Sequence, residues 1–132
     1  MQFDTVIRNG VLISGWGQIQ ADIGITGEKI TAIARGLHGE QEIDASDMLV
    51  IPGAIDPHVH LQMPVGQTSS SDDWFTGTRA AVCGGTTTVI DFIEPAPEES
   101  LQAALEKRKG EAFPKVAADY GLHMTITDSH PD

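Results

Sequence analysis

His58-Val59-His60, introduced by Asp56-Pro57, is the stretch of this 132-residue chain whose residue types and spacing could do chemistry. Residues two apart on a strand share a face, so Asp56, His58 and His60 are expected to point the same way. Two imidazoles side by side suit a borderline ion such as zinc, which takes nitrogen ligands at about 2.0–2.1 Å. An ion held there can lower the pKa of water and polarise a carbonyl. A His-x-His pair alone is a weak signal; a position after an apolar strand and before a polar loop strengthens it. Asp56 has two readings. It is either a hydrogen-bond partner that orients a ligating ring or an acceptor for backbone groups at the strand end.

The elements that must position these residues begin at Met48. Leu49-Val50-Ile51, Pro52-Gly53 and the run from Ala54 to His60 read as one apolar strand of the kind a buried parallel sheet requires. A polar loop follows from Gln62 to Ser71. Ser70 or Ser71 is expected to cap a helix with Asp72 and Asp73 in its first turn, running through Trp74, Phe75, Thr78, Ala81 and Val82 to Gly84-Gly85. The β-branched run Thr86 to Phe92 predicts a second strand. Pro97-Glu98-Glu99-Ser100 opens a second helix with an apolar face of Leu101, Ala104 and Leu105, cations at Lys107, Arg108 and Lys109, and Gly110 past its end. A third strand is expected from about Ala118 to Thr127. Strand, helix, strand, helix, strand implies right-handed parallel units of an α/β sheet or barrel, whose active sites lie at the C-terminal strand ends.

Residues 1–50 read as all-β. Phe3 to Arg8 and Val11 to Ser14 flank Asn9-Gly10, a hairpin signal. Ala21, Ile23 and Ile25 alternate with Asp22, Gly24 and Thr26 as in a half-buried strand. Thr26-Gly27-Glu28-Lys29 turns the chain into Ile30 to Ala34, and a further strand is expected around Glu42-Ile43-Asp44. These strands are too few to close a sandwich alone.

The net charge of −11 disfavours nucleic acid and anionic membranes as partners, because there is no basic stripe to meet phosphates. No apolar run approaches membrane-spanning length and no signal peptide is visible, so a cytoplasmic location is expected. The single Cys83 cannot form an internal disulfide and is read as a small buried packing residue. His38 is expected in a solvated turn and His130 near a frayed end. His123 is either a hydrogen-bonded core histidine or, less favoured, a ligand. Asp91 is read as structural, and Gly84-Gly85 precedes a strand, so it is no phosphate loop.

Leu49 to His60 resembles the first barrel strand of the amidohydrolase superfamily. The blocks Leu61 to Thr68, Ser71 to Trp74, Thr76 to Ala81 and Gly84 to Phe92 are similar to the hydantoinase/dihydropyrimidinase family, and the likeness runs from the first hairpin to the last residue. The resemblance implies an α/β fold: the first strands and helices of a (β/α)8 TIM barrel over residues 51–132, preceded by part of a small β-sandwich domain over residues 1–50. It implies hydrolysis of the cyclic amide bond of hydantoins or dihydropyrimidines, with a small-molecule cyclic ureide as substrate and a homo-oligomeric parent, commonly a tetramer. It also implies two divalent metal ions, commonly zinc, with a carboxylated lysine and a hydroxide bridging them and an aspartate moving the proton. His58 and His60 match the pair that holds the more buried ion, while Met63 and Val65 fall in a loop that shapes the substrate pocket. Val65 stands where a bulkier aromatic is common.

Gln62 takes the position where dihydroorotases usually carry an arginine for a substrate carboxylate, and no other cation is expected nearby. This disfavours a charged substrate. The bridging lysine, two further histidines and the aspartate belong to later strands, and none of Lys29, Lys107, Lys109 or Lys115 supplies the first. Two imidazoles under-ligate a zinc site, so the 132 residues are expected to be an N-terminal portion, inactive alone. The alternatives are a catalytically inactive scaffold of the same fold, or another amidohydrolase such as an allantoinase.

Overall fold

The structure, a computed structural model, describes residues 2–126. The chain divides into two compact units, Met1–Pro52 and Gly53–Asp132. The expected strand end at Thr127 and His130 lie outside the described residues.

In the first unit, β1 (Phe3–Arg8) pairs antiparallel with β4 (Asp22–Thr26) and parallel with β6 (Gly39–Asp44), and β5 (Lys29–Ala34) completes a sheet of order β5-β4-β1-β6. A second sheet joins β2 (Val11–Ser14) to β3 (Gly17–Gln20) and to β7 (Leu49–Val50). Asn9-Gly10 is therefore no hairpin. β1 and β2 belong to different sheets, and the link between them is set by distant partners. Asn9 has φ 65°, its amide donates to Asp22 Oδ1 and its Nδ2 to Asp44 Oδ1. A Cβ on Gly10 would stand 2.6 Å from Val50 Cγ2, so the approach of these strands requires glycine there.

The alternation in β4 is overridden in the same way. Asp22 is buried with Ala21 and Ile23, and its carboxylate accepts the amides of Asn9 and Leu37. These N–H groups, that of Asn9 foremost, hold its pKa below the ordinary carboxylate value. Leu12, Ala21 and Ile23 form the core of this unit, while Ile30, Ile33 and Ile43 remain exposed.

The second unit is α/β. Parallel strands β8 (Ala54–Val59), β11 (Thr86–Ile93) and β12 (Asp119–Met124) lie in the order β12-β11-β8, connected by α1 (Trp74–Cys83) and α2 (Leu101–Ala112). The strand expected from Leu49 to His60 is thus two strands: Leu49–Val50 pairs with β2, and pairing with β11 begins at Ala54. Leu61, Trp74, Val89 and Ala112 form the core between sheet and helices, with Val59, Tyr120 and Leu122 packed against it.

Both helix starts are capped, but not all by the expected residues. Asp73 caps α1 in a reciprocal box, accepting the Thr76 amide at 2.7 Å while Thr76 Oγ1 accepts the Asp73 amide at 3.0 Å. Ser70 is spent elsewhere: its Oγ accepts the Met63 amide and ties the two ends of the loop together. Ser100 caps α2 as the sequence suggests. Gly110 lies inside that helix, and the buried stripe is Ala104, Arg108 and Ala112, with Leu101 exposed. Cys83, expected to be buried, is exposed on the last turn of α1.

Candidate functional site

At the C-terminal end of β8 the imidazoles of His58 and His60 face each other, Nε2 to Nε2, at 3.2 Å. Their rings meet edge to face, with centroids 5.0 Å apart and an interplanar angle of 77°. At this spacing the two ring nitrogens are close enough to share one proton or one ion. Two nitrogens bound tetrahedrally to one zinc at about 2.0–2.1 Å would themselves lie about 3.3 Å apart. The spacing and donor type therefore fit a shared ion in place of that proton. The donor count does not complete a site: among the described residues no group of three or more His, Cys, Asp or Glu side chains converges.

Phe92, on the neighbouring strand β11, backs the pair. Its ring centroid is 4.4 Å from that of His58, 5.3 Å from His60 and 5.2 Å from His123 on β12. Phe92 and His123 are direct partners in the ladder, so one face of the sheet carries a row of three imidazoles around one phenyl ring. His123 is exposed there, with no hydrogen-bond partner among the described residues; it is not the hydrogen-bonded core histidine favoured from the sequence. His38 is solvent-exposed as expected, and its Nδ1 lies 3.0 Å from Glu42 Oε1.

Asp56 does not continue the His58–His60 face. The ladder sets Asp56 opposite Val89 and Val59 opposite Asp91, three steps on β8 against two on β11. This bulge breaks the period-two alternation that strand geometry alone would give. The Asp56 carboxylate accepts the His58 amide at 3.2 Å, closing the bulge, and bonds to neither imidazole ring.

Immediately after His60 the chain turns away, with Gln62 at φ 48°. The Leu61 amide donates to Asp91 Oδ2 at 2.8 Å, and the Leu61 carbonyl accepts from Arg108 Nη2. Arg108 Nη2 also lies 2.9 Å from Asp91 Oδ1, Nη1 lies 2.7 Å from Glu111 Oε2, and the guanidinium sits 4.8 Å above the Trp74 ring. Asp91 is 1% exposed. Asp91 is structural, as the sequence suggests, but Arg108, expected only as one of three cations at the end of α2, is its partner. The available signal was the spacing Ala104-Arg108-Ala112, which puts the arginine on the buried stripe.

The loop from Met63 to Ser70 is a small hairpin, with β9 (Pro64–Val65) paired to β10 (Thr68–Ser69) across Gly66 at φ 61°. Met63 lines a cleft with Pro64, Phe92, Ile93, Lys107 and Arg108, whereas Val65 is exposed outside it. The expectation that no cation stands near Gln62 is overturned: Lys115 Nζ donates to Gln62 Oε1 at 3.2 Å, brought there by the turn after α2.

Residues 49–129 match the family model described as the amidohydrolase family. The chain is 42% identical over 130 residues to dihydropyrimidinase 2 of Caenorhabditis elegans, covering 96% of this chain and 25% of that protein. It is 40% identical over 135 residues to a D-hydantoinase of Streptomyces coelicolor, covering 97% of this chain and 29% of that one. The crystal structure of D-hydantoinase from Bacillus sp. AR9 superposes with a TM-score of 0.92 at 44% identity, covering 96% of this chain and 28% of that chain. The likeness to hydantoinases and dihydropyrimidinases read from the sequence is thus borne out. The chain spans about a quarter of the length of the curated relatives it matches.

Proposed function

Given that the chain belongs to the amidohydrolase family, we propose that it provides the first metal-holding strand of an enzyme that hydrolyses the cyclic amide bond of hydantoins or dihydropyrimidines. The observation that carries this is the pair of facing Nε2 atoms, 3.2 Å apart at a strand end. It occurs in a chain 40–44% identical to proteins named for that activity.

In this proposal residues 51–132 are the first β/α units of a (β/α)8 barrel, and residues 1–50 are part of a small β-sandwich domain. His58 and His60 would hold one of two divalent ions, zinc by the nitrogen donor set, and the remaining ligands come from outside the described residues. The ion, when bound, supplies polarisation of the amide carbonyl and acidification of water. The chain's own residues do the rest here. Phe92 packs against both imidazoles and restricts their rotation, so the two Nε2 atoms stay convergent. Met63, Pro64 and Val65, in the hairpin that follows His60, would border the substrate, a cyclic ureide. Gln62 accepts from Lys115 through Oε1, which fixes the side chain beside the hairpin.

With two of the ligands, the 132 residues alone are inactive in this account, and the whole protein is a homo-oligomeric, cytoplasmic enzyme. No helix among the described residues is long and apolar enough to cross a membrane. The test is hydrolysis of dihydrouracil and hydantoin by the full-length protein before and after chelation. Turnover that disappears with the metal and returns with added zinc is expected. Turnover unchanged after complete metal removal contradicts the proposal, and absence of turnover on these and on allantoin, with zinc present, would leave a scaffold of the same fold.

A further inference from the structure

We propose that Asp91 and Arg108 are positioning residues for His60, acting through the peptide of Leu61. His60 lies one residue beyond the last residue of β8, where strand pairing no longer fixes the backbone. The next residue is held from three directions. Asp91 takes its amide, Arg108 takes its carbonyl, and its side chain is buried in the core with Trp74. Gly77 leaves room for that side chain: a Cβ there would collide with Leu61 Cδ2. Holding Leu61 on one face of the sheet fixes the Cα of His60, whose ring extends to the other face.

The ion pair that does this is preorganised. Arg108 uses Nη2 for both Asp91 and the Leu61 carbonyl, its Nη1 is anchored by Glu111, and its flat face lies on Trp74. A buried ion pair that merely joined α2 to β11 would not need to bond the amide and the carbonyl of one residue on a third element. The planar guanidinium, with Nη2 serving Asp91 and Leu61 and Nη1 serving Glu111, suits this task, and a point charge would not reproduce it. Groups outside a ligand set that orient it commonly change metal affinity by about ten-fold or more when removed. The inference rests on the metal proposal only where a metal is the probe.

Two readouts on the full-length protein test it. One is the nuclear Overhauser contact between the His58 and His60 ring C–H protons in metal-free protein. The other is the cobalt dissociation constant, read from the visible absorption of bound cobalt. The double variant Asp91→Asn/Arg108→Met removes both charges together, so no unpaired carboxylate is left in the core. In the folded double variant the ring contact is expected to vanish and the cobalt dissociation constant to rise about ten-fold. If the double variant does not fold, Arg108→Lys, which keeps the charge beside Asp91 but not the fork, is read in the same way. Ring contact and cobalt affinity both unchanged in a folded variant would overturn the proposal, since a purely structural pair lowers stability without moving the rings. If the wild-type full-length protein binds no cobalt, the metal proposal falls by itself, and the ring contact alone decides the role of Asp91 and Arg108.

Discussion

The two faces of the three-stranded sheet in the second unit are made by alternate residues of the same strands, yet they have opposite characters. Towards α1 and α2, Val89, Asp91 and Ile93 are nearly sealed from solvent, and Tyr120 and Leu122 join the core. On the other face stand His58, His60 and His123 around Phe92, with all three imidazoles exposed. Each buried Val or Leu on the first face contributes roughly 1.5–3 kcal/mol, whereas the exposed histidines contribute little to folding. The fold is held on one side and the chemistry is carried on the other. Asp91 and Leu61, neighbours in sequence of Phe92 and His60, are where the stabilising face reaches the chemical one.

The largest effect that could break this contrast comes from Arg108→Met. It leaves the Asp91 carboxylate buried without its cation, and urea denaturation is expected to show a loss of about 3–5 kcal/mol. A loss below about 1 kcal/mol, the size of an exposed pair, would mean that the packed face is not sealed.

The next effect is at Asp22, the other buried carboxylate, whose hydrogen-bond partners are neutral amides. Asp22→Asn is expected to cost about 1–3 kcal/mol near pH 7, because one acceptor oxygen becomes a donor facing N–H groups. Its pKa is depressed in the folded state, so the ionised group stabilises above the ordinary carboxylate range near pH 4 and loses that contribution as pH falls through the lower folded value. The gap in stability between wild type and Asp22→Asn should therefore narrow as pH is lowered from about 5 towards 2. A gap that widened on acidification would reverse the assignment.

How much of this was legible in the sequence followed the range of the forces involved. β1 and β2 were read with their observed bounds, because alternation and β-branching are local. The Asn9-Gly10 turn was misread because Asp22, Asp44 and Val50, all distant in sequence, decide how the chain bends there. The α1 cap moved from Ser70 or Ser71 to Asp73 for a similar reason, since Ser70 closes a loop with Met63. His58 and His60 were visible as a pair because a strand brings them together without outside help. Asp56 was placed with them by the same alternation, and the bulge opposite β11 removed it. The pairing of Asp91 with Arg108 joins residues 17 apart across a strand and a helix; the spacing Ala104-Arg108-Ala112 marks the arginine as buried but does not name the acid it meets.

The central claim is that the exposed face holds a divalent ion through His58 and His60, and the most direct test is zinc competition against a chromophoric chelator. Wild type and His58→Ala/His60→Ala would be compared in the full-length protein. The account predicts zinc bound by the wild type, a fall in affinity of at least about ten-fold in the variant, and a change in the stability of the metal-free protein within about 0.5 kcal/mol. Equal zinc affinity in the two proteins would contradict it.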